Sequence, residues 1–353
     1  MSKENSKKKV LIIRLSSMGD VIFNVPLANK LKENGYEVSW LVGEKGLQIL
    51  ENNPSVDKVF FAPVEKWKKS KNILKNFYEY IEIIKNLRNE KFDIALDTQM
   101  LMKSIPFTMF CGAKRRIISK SAREFSFIGA NEIIPRVFDK FNIPVVKAYL
   151  KYAEYLGLDV SYFNVTLPPS KEDDVNFVSD LLKDTDKTKQ NIVIAPATTW
   201  VAKHWDKNNW RELIEKLKDK YNLIFSGGKN DVKLIDEIRN GVGLNLAGKT
   251  NLSQLIELLR NSDLLISLDS GTTHLGWATQ IPKVISIFCC TPIGLYAPIG
   301  DKNKYVSLSG DLTCQPCHHK KCRLKEKLKN SCTKFPKPDE VFKYVQKFME
   351  NKN

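Results

Sequence analysis

The sequence predicts an α/β protein built from two parallel-sheet domains of the Rossmann type. Three observations carry this. Short apolar runs rich in β-branched residues alternate with helical periodicities along the chain, as expected of βαβ units whose strands are buried on both faces. Several runs end in small or polar residues that lead into a helix, as at Ser16-Ser17-Met18-Gly19-Asp20 and Asp269-Ser270-Gly271. The chain has 353 residues, more than one core normally serves, since single cores stop growing at roughly 250–300 residues.

Taken in order, Val10–Ile13 is the first strand. The helix after it has its apolar face on Val21, Ile22, Val25, Leu27, Ala28 and Leu31 and ends near Gly35. Pro26 is tolerable there if it falls in the first turn, where no i−4 carbonyl is lost. Val38–Val42 and Val59–Ala62 are strands; a basic stretch over 66–75 leads into the helix Ile73–Leu87. Phe92–Leu96 is a strand ending at Asp97-Thr98-Gln99, and Arg115–Ile118 a strand followed by the basic turn Lys120–Arg123. Val145–Leu156 is a helix stopped by Gly157, and Leu167–Ser170, with two prolines, reads as a linker. The rhythm then restarts. Strands are expected at Asn191–Ala195, Leu223–Ser226, Leu244–Ala247, Asp263–Leu268 and Val284–Phe288. Between them fall helices at Trp210–Tyr221, Asp231–Arg239, Leu252–Arg260 and Thr272–Thr279. The domains are therefore expected at 1–168 and 169–336, with an amphipathic helix in 337–353 packing back on the first domain.

The formal charge of +16 points to an anionic partner: nucleic acid, a phospholipid surface or an anionic substrate. Much of the excess is lysine scattered among asparagine and isoleucine, so compositional bias competes with that reading. The basic residues are dispersed, with no recognition helix and no aromatic-interleaved basic motif, which makes a nucleic-acid-binding protein the remote alternative. No apolar run approaches the ~20 residues of a membrane helix. The polar start Met1–Lys9 does not read as a signal peptide, so the expectation is a cytoplasmic protein, where its seven cysteines remain reduced.

Three stretches carry candidate chemistry. Asp20 falls where a strand's carboxyl end meets a helix's amino end, the edge at which doubly wound sheets bind ligands; an N-cap is the plain structural alternative. Asp269-Ser-Gly-Thr-Thr-His274 places backbone N–H groups and two hydroxyls at a helix amino end, a ready phosphate site, with simple capping by Asp269 or Ser270 as the alternative. Thr198, Thr199 and Lys203 follow the second domain's first strand and suit a diphosphate whose departure needs a cation. A Rossmann dehydrogenase is excluded, because no G-x-G-x-x-G follows the first strand.

Ile13-Arg-Leu-Ser-Ser-Met-Gly-Asp20, Thr198-Thr-x-x-x-Lys-His-Trp205 and Asp269-Ser-Gly-Thr-Thr-His274, in that order, resemble glycosyltransferase family 9, which holds the bacterial lipopolysaccharide heptosyltransferases. The resemblance runs from about Val10 to Ile299. Trp67-Lys-Lys69, Leu96-Asp-Thr-Gln-Met-Leu-Met-Lys-Ser104 and Ser121-Ala-Arg-Glu124 further resemble its heptosyltransferase I branch. The resemblance implies a GT-B fold, two Rossmann-like domains facing across a cleft. It implies inverting transfer of heptose from ADP-heptose to the Kdo of Kdo-lipid A, with no required cofactor. It also implies peripheral attachment to the anionic cytoplasmic face of the inner membrane, and no nucleic-acid partner. Another family-9 transferase with a different nucleotide sugar or acceptor, such as a heptosyltransferase II-like enzyme, is the alternative.

By position in that resemblance, Asp20 matches the catalytic base and Lys203 the lysine that neutralises the diphosphate. Thr198, Thr199, Ser270, Gly271 and Thr272 match donor phosphate contacts, and Asp269 and His274 further donor-site residues. Ser17, Gly19, Lys66, Lys68, Lys103 and Arg123 fall on the acceptor side. Two departures are visible. Lys229-Asn-Asp231 stands where the family places an acidic residue for the donor ribose, which leaves Asp231 as the match, and Asn142-Ile-Pro144 replaces a His-containing stretch. Finally, Cys314-x2-Cys317-x4-Cys322-x9-Cys332 has spacing compatible with a structural zinc site; four reduced thiols in a basic loop is the other reading.

Overall fold

The computed structural model describes residues 7–139, 143–280, 283–325 and 328–350; Asn142 lies outside them. The chain divides into two compact units, Met1–Pro169 and Ser170–Asn353, with the division inside the proline-bearing stretch.

The first unit is a six-stranded sheet: β1 (Lys9–Ile13), β2 (Glu37–Val42), β3 (Lys58–Phe61), β4 (Ile94–Asp97), β5 (Arg115–Ser119) and β6 (Glu132–Ile134), in the order β3-β2-β1-β4-β5-β6. Every neighbouring pair is parallel. Its helices are α1 (Met18–Glu33), α2 (Leu47–Leu50), α3 (Val64–Lys69), α4 (Ile73–Asn89), α5 (Ile105–Phe110) and α6 (Val145–Tyr155).

The second unit repeats the plan with β7 (Asn191–Ala195), β8 (Asn222–Phe225), β9 (Leu244–Asn245), β10 (Leu264–Leu268), β11 (Lys283–Phe288) and β12 (Tyr305–Ser309), in the order β12-β11-β10-β7-β8-β9. These pairs are parallel too. Its helices are α7 (Glu172–Leu181), α8 (Lys207–Leu217), α9 (Val232–Arg239), α10 (Leu252–Arg260), α11 (Gly271–Ala278), α12 (Ile293–Tyr296) and α13 (Pro338–Glu350). The strand order of each sheet thus reverses between its first and fourth strands, at β1/β4 and at β7/β10. Outside the carboxyl ends of those two strands lies the crevice where such sheets bind ligands.

Four features depart from the sequence reading or go beyond it, with physical causes. Pro26 is not in the first turn: α1 begins at Met18, so the proline sits mid-helix. Every residue from Val21 to Leu31 is buried there, and that packing outweighs the roughly 3 kcal/mol cost of an interior proline. The helix α8 starts at Lys207, earlier than its apolar periodicity suggests, because Asp206 caps it by accepting from the Asn208 N–H at 2.8 Å. The helix α13 has a covering surface within the second unit. It lies against α8 and β11, with Val341, Val345, Phe348 and Met349 inside the second unit's core. The strands β6 and β12 and the helix α7 were not expected at all; β6 has only three residues, too few to show a period.

Close backbone approach at one glycine shapes the edge that matters. The Gly43 N–H donates to the Leu15 carbonyl at 3.1 Å, holding the end of β2 against the turn after β1. A Cβ at Gly43 would stand 2.6 Å from that oxygen. Gly43→Ala is therefore expected to destabilise the protein by about 1–3 kcal/mol through overpacking against backbone that cannot rotate away. Chemical denaturation checks this; an unchanged midpoint would show that the turn yields freely.

Candidate active site

In the first unit, the turn from β1 into α1 presents Asp20. Ser17 is the N-cap and Asp20 the third helical residue, so the capping alternative holds in a modified form. The Asp20 Oδ2 atom accepts from the Ser17 N–H at 3.2 Å and the Ser17 hydroxyl at 2.8 Å. The same oxygen meets the Arg14 guanidinium at 2.6 Å, and Oδ1 accepts from the Tyr149 hydroxyl at 3.0 Å. Burial pushes the carboxyl up, but the cation and the Ser17 donors outweigh it and hold Asp20 below the usual aspartate range. Burial also raises the Tyr149 phenol well above its ordinary value, so it stays a donor.

The sequence reading missed this support. Arg14 follows β1 directly, with its side chain 7% exposed, over the Tyr149 ring at 5.2 Å, and donates to the Thr98 carbonyl after β4. The Gln99 amide oxygen accepts the N–H groups of Leu15 and Ser16, each at 3.0 Å, tying the β1 and β4 loops together. The buried Asp97 accepts from the Met100 N–H at 2.9 Å and the Thr108 hydroxyl at 2.7 Å. The signal was present: a charged residue and an amide at the ends of two apolar strands.

The predicted acceptor residues divide. Ser17, Gly19 and Lys103 lie around Asp20, and Lys103 donates to the Ser16 hydroxyl. Burial, then repulsion from Lys68 and Arg14, brings the Lys103 ammonium down to about 8. Lys66 points elsewhere, paired with Glu79 at 3.0 Å. Arg123 is exposed on the turn whose backbone N–H bonds the Met100 carbonyl at 3.1 Å.

In the second unit the loop after β7 and the turn after β10 meet. The Lys203 ammonium lies 2.7 Å from Asp269 Oδ2, and that carboxylate, 2% exposed, also accepts from the Thr291 hydroxyl at 2.6 Å. The rings of Trp200 and Tyr296 flank the ammonium at 4.7 and 5.9 Å. The Thr198 hydroxyl reaches the Asp269 carbonyl at 3.4 Å, while Thr199 is exposed. Ser270 caps α11, and its buried hydroxyl oxygen has no hydrogen-bond partner among the described residues. The first N–H groups of α11, from Gly271 and Thr272, have no acceptor within the helix. Together these leave donors beside a fixed cation, an arrangement suited to a diphosphate. His274 is buried, 3.9 Å from Asp269 Oδ1. Asp231 stands apart, at the carboxyl end of the next strand, β8, where it accepts from the Gly228 N–H at 2.8 Å.

The cysteine segment departs from the zinc expectation. Among the described residues no group of three or more His, Cys, Asp or Glu side chains is disposed to hold a metal ion. Cys332 is buried, while Cys314, Cys317 and Cys322 are half-buried. Burial first, then the neighbouring thiols, brings Cys332 up to about 11, so it is a neutral thiol. The segment instead buttresses the Lys203 loop. The Ala202 N–H reaches the Lys320 carbonyl at 3.4 Å, the Asp206 N–H the Thr333 carbonyl at 2.8 Å, and His318 stacks on Trp200 at 5.7 Å.

Known proteins resemble this chain over most of its length. The profile of glycosyltransferase family 9 (heptosyltransferase) matches residues 80–328. The lipopolysaccharide core heptosyltransferase OpsX of Haemophilus influenzae is 26% identical over 311 residues, 85% of this chain and 84% of its own length. Lipopolysaccharide heptosyltransferase 1 of Pseudomonas aeruginosa is 26% identical over 320 residues, 89% of this chain and 87% of its own. Among solved structures, Escherichia coli heptosyltransferase WaaC with ADP superposes with a TM-score of 0.72 at 22% identity, covering 96% of this chain and 99% of that one. The two doubly wound units are the Rossmann-like domains of a GT-B fold, and the chain belongs to glycosyltransferase family 9, the heptosyltransferase family.

Proposed function

We propose that this protein transfers heptose from ADP-heptose to the Kdo of Kdo-lipid A during lipopolysaccharide core synthesis, with inversion at the anomeric carbon. One observation carries the reading: a carboxylate, Asp20, held ionised at the first sheet's switch point in a chain of this family. The match with relatives named for lipopolysaccharide core heptosyl transfer supports it.

In this reading Asp20 takes the proton of the acceptor hydroxyl. Among the described residues its Oδ1 accepts from Tyr149 and keeps a lone pair for that proton. The freed oxygen attacks the anomeric carbon, the bond from that carbon to the diphosphate oxygen breaks, and its electron pair goes to ADP. Lys203 and the amino end of α11 stabilise that charge, with the Ser270, Thr198, Thr199 and Thr272 hydroxyls as further donors, so the step calls on no metal ion. Asp269 orients the ammonium. Asp231, at the end of β8, is the candidate partner for the donor ribose. Lys103, Lys68 and Arg123 receive the anionic groups of the acceptor. The enzyme acts as a peripheral protein at the cytoplasmic face of the inner membrane, where such an acceptor is displayed.

The direct test is incubation of the purified chain with ADP-heptose and Kdo-lipid A, with and without EDTA, and mass spectrometry of the product. A heptosylated lipid formed in both cases is expected; hydrolysis of the donor alone would defeat the proposal. Asp20→Asn should lower kcat by about 10²–10⁴-fold with ADP affinity unchanged. Lys203→Ala should weaken both ADP binding, read by calorimetry, and turnover; unchanged values for both would remove Lys203 from the site. Because the Lys103 ammonium titrates at about 8, its charge is lost as pH rises. Acceptor kcat/KM should therefore fall above pH 8, and Lys103→Arg should abolish that fall, since a guanidinium stays charged. Parallel profiles for the two proteins would separate Lys103 from acceptor binding.

A further inference from the structure

The helix α4 is apolar on two sides. Its inner side, Tyr80, Ile83, Ile84 and Leu87, belongs to the first unit's core, and the Tyr80 ring lies 4.5 Å from that of Phe107. The other side bears Ile73, Leu74, Phe77, Tyr78 and Ile81, spaced i, i+1, i+4, i+5 and i+8, which makes one continuous stripe. All five are exposed: Ile73 by 78%, Leu74 by 72% and Phe77 by 58%. A soluble protein rarely leaves such a stripe uncovered without a use for it.

Lysines surround the start of this stripe. Lys68, Lys69, Lys71 and Lys75 are exposed and make no ion pair among the described residues. Two carboxylates share the helix beside it: Glu79, taken up by Lys66 and by the Trp67 indole N–H at 2.8 Å, and Glu82. We propose that the outer face of α4, with the lysines that precede it, docks the first unit on an anionic phospholipid bilayer. Ile73, Leu74 and Phe77 enter the acyl boundary while the lysines lie among the headgroups. A second copy of the chain fits less well, because a two-fold contact would set these lysines against themselves. Nucleic acid would satisfy the lysines and leave the aromatic stripe uncovered. Lys68 is near enough to Lys103 to lower its proton affinity, so the docked face adjoins the acceptor side. The docking rests on the reading of a lipid-linked acceptor for its purpose.

The test is flotation of the full chain with vesicles of phosphatidylglycerol and phosphatidylethanolamine, or of phosphatidylcholine alone, without either substrate. Wild-type protein should bind the anionic vesicles, and binding should weaken as salt rises. Two variants separate the apolar from the electrostatic contribution: Leu74→Asp with Phe77→Asp, and Lys69→Glu with Lys71→Glu and Lys75→Glu. Each should lower partitioning at least about tenfold, with melting temperature and ADP affinity unchanged, since the substitutions are exposed. Wild-type protein that ignores anionic vesicles would overturn the proposal. So would variants that bind like wild type, or a wild-type dimer that the variants dissociate without altered vesicle binding. Transfer to a deacylated, soluble acceptor keeps the two claims apart. Loss of transfer in every form condemns the functional reading, whereas transfer that survives alongside absent vesicle binding condemns only the docking surface.

Discussion

A guanidinium buried at the end of a parallel strand has to be given a counter-charge, and much of the first unit's ligand edge follows from that requirement. Arg14 leaves β1 into an interior that excludes water, and an unpaired cation there would cost several kcal/mol. Asp20 answers the charge, and Tyr149 of α6 offers its ring to the cation and its hydroxyl to the carboxylate. Thr98 and Gln99 anchor the same turn from β4. Strand β1, helix α1, the β4 loop and helix α6 are thereby tied at one point. The helix cap, the ion pair and the lowered proton affinity of Asp20 are three consequences of one arrangement.

The second unit solves an equivalent problem with different residues. Its cation, Lys203, comes from the loop after the first strand, and its carboxylate, Asp269, from the turn after the fourth. In both units an ion pair therefore sits at the switch point of the sheet, where backbone N–H groups at a helix start are also left open. In the first, the carboxylate is the more exposed partner, as suits the proposed base. In the second, the carboxylate is buried and the lysine is the more accessible partner, as suits the proposed partner of a leaving diphosphate. In the proposed reaction, the direction in which each pair is exposed separates the base from the group that stabilises the leaving anion.

The strand–helix alternation made the doubly wound plan legible, because parallel strands buried on both faces have a distinctive composition. The strand ends bearing Asp20, Lys203 and Asp269 were legible for the same reason: polar residues closing an apolar run have to face the ligand edge. What could not be read were side-chain partnerships over long sequence separations. Tyr149 meets Asp20 across more than a hundred residues, and no local pattern marks it. Lys66 looked like its basic neighbours until Glu79, on the next helix α4, took its charge. The cysteine spacing suggested a metal, but spacing alone does not reveal that the segment's hydrogen bonds serve the Lys203 loop. That α8 and β11 cover helix α13 was not legible either, because amphipathicity gives a helix a face without naming the surface that covers it.

The claim on which the rest turns is that Arg14 keeps Asp20 ionised for proton transfer. Its most direct measurement is the acid limb of the kcat profile for wild type and for Arg14→Gln. Removing the cation leaves only the Ser17 donors to oppose burial, so the carboxyl rises and the base protonates at higher pH. The account predicts an acid limb displaced toward neutrality in the variant, with the Asp20→Asn background showing no such limb. Coincident limbs in wild type and Arg14→Gln would contradict it.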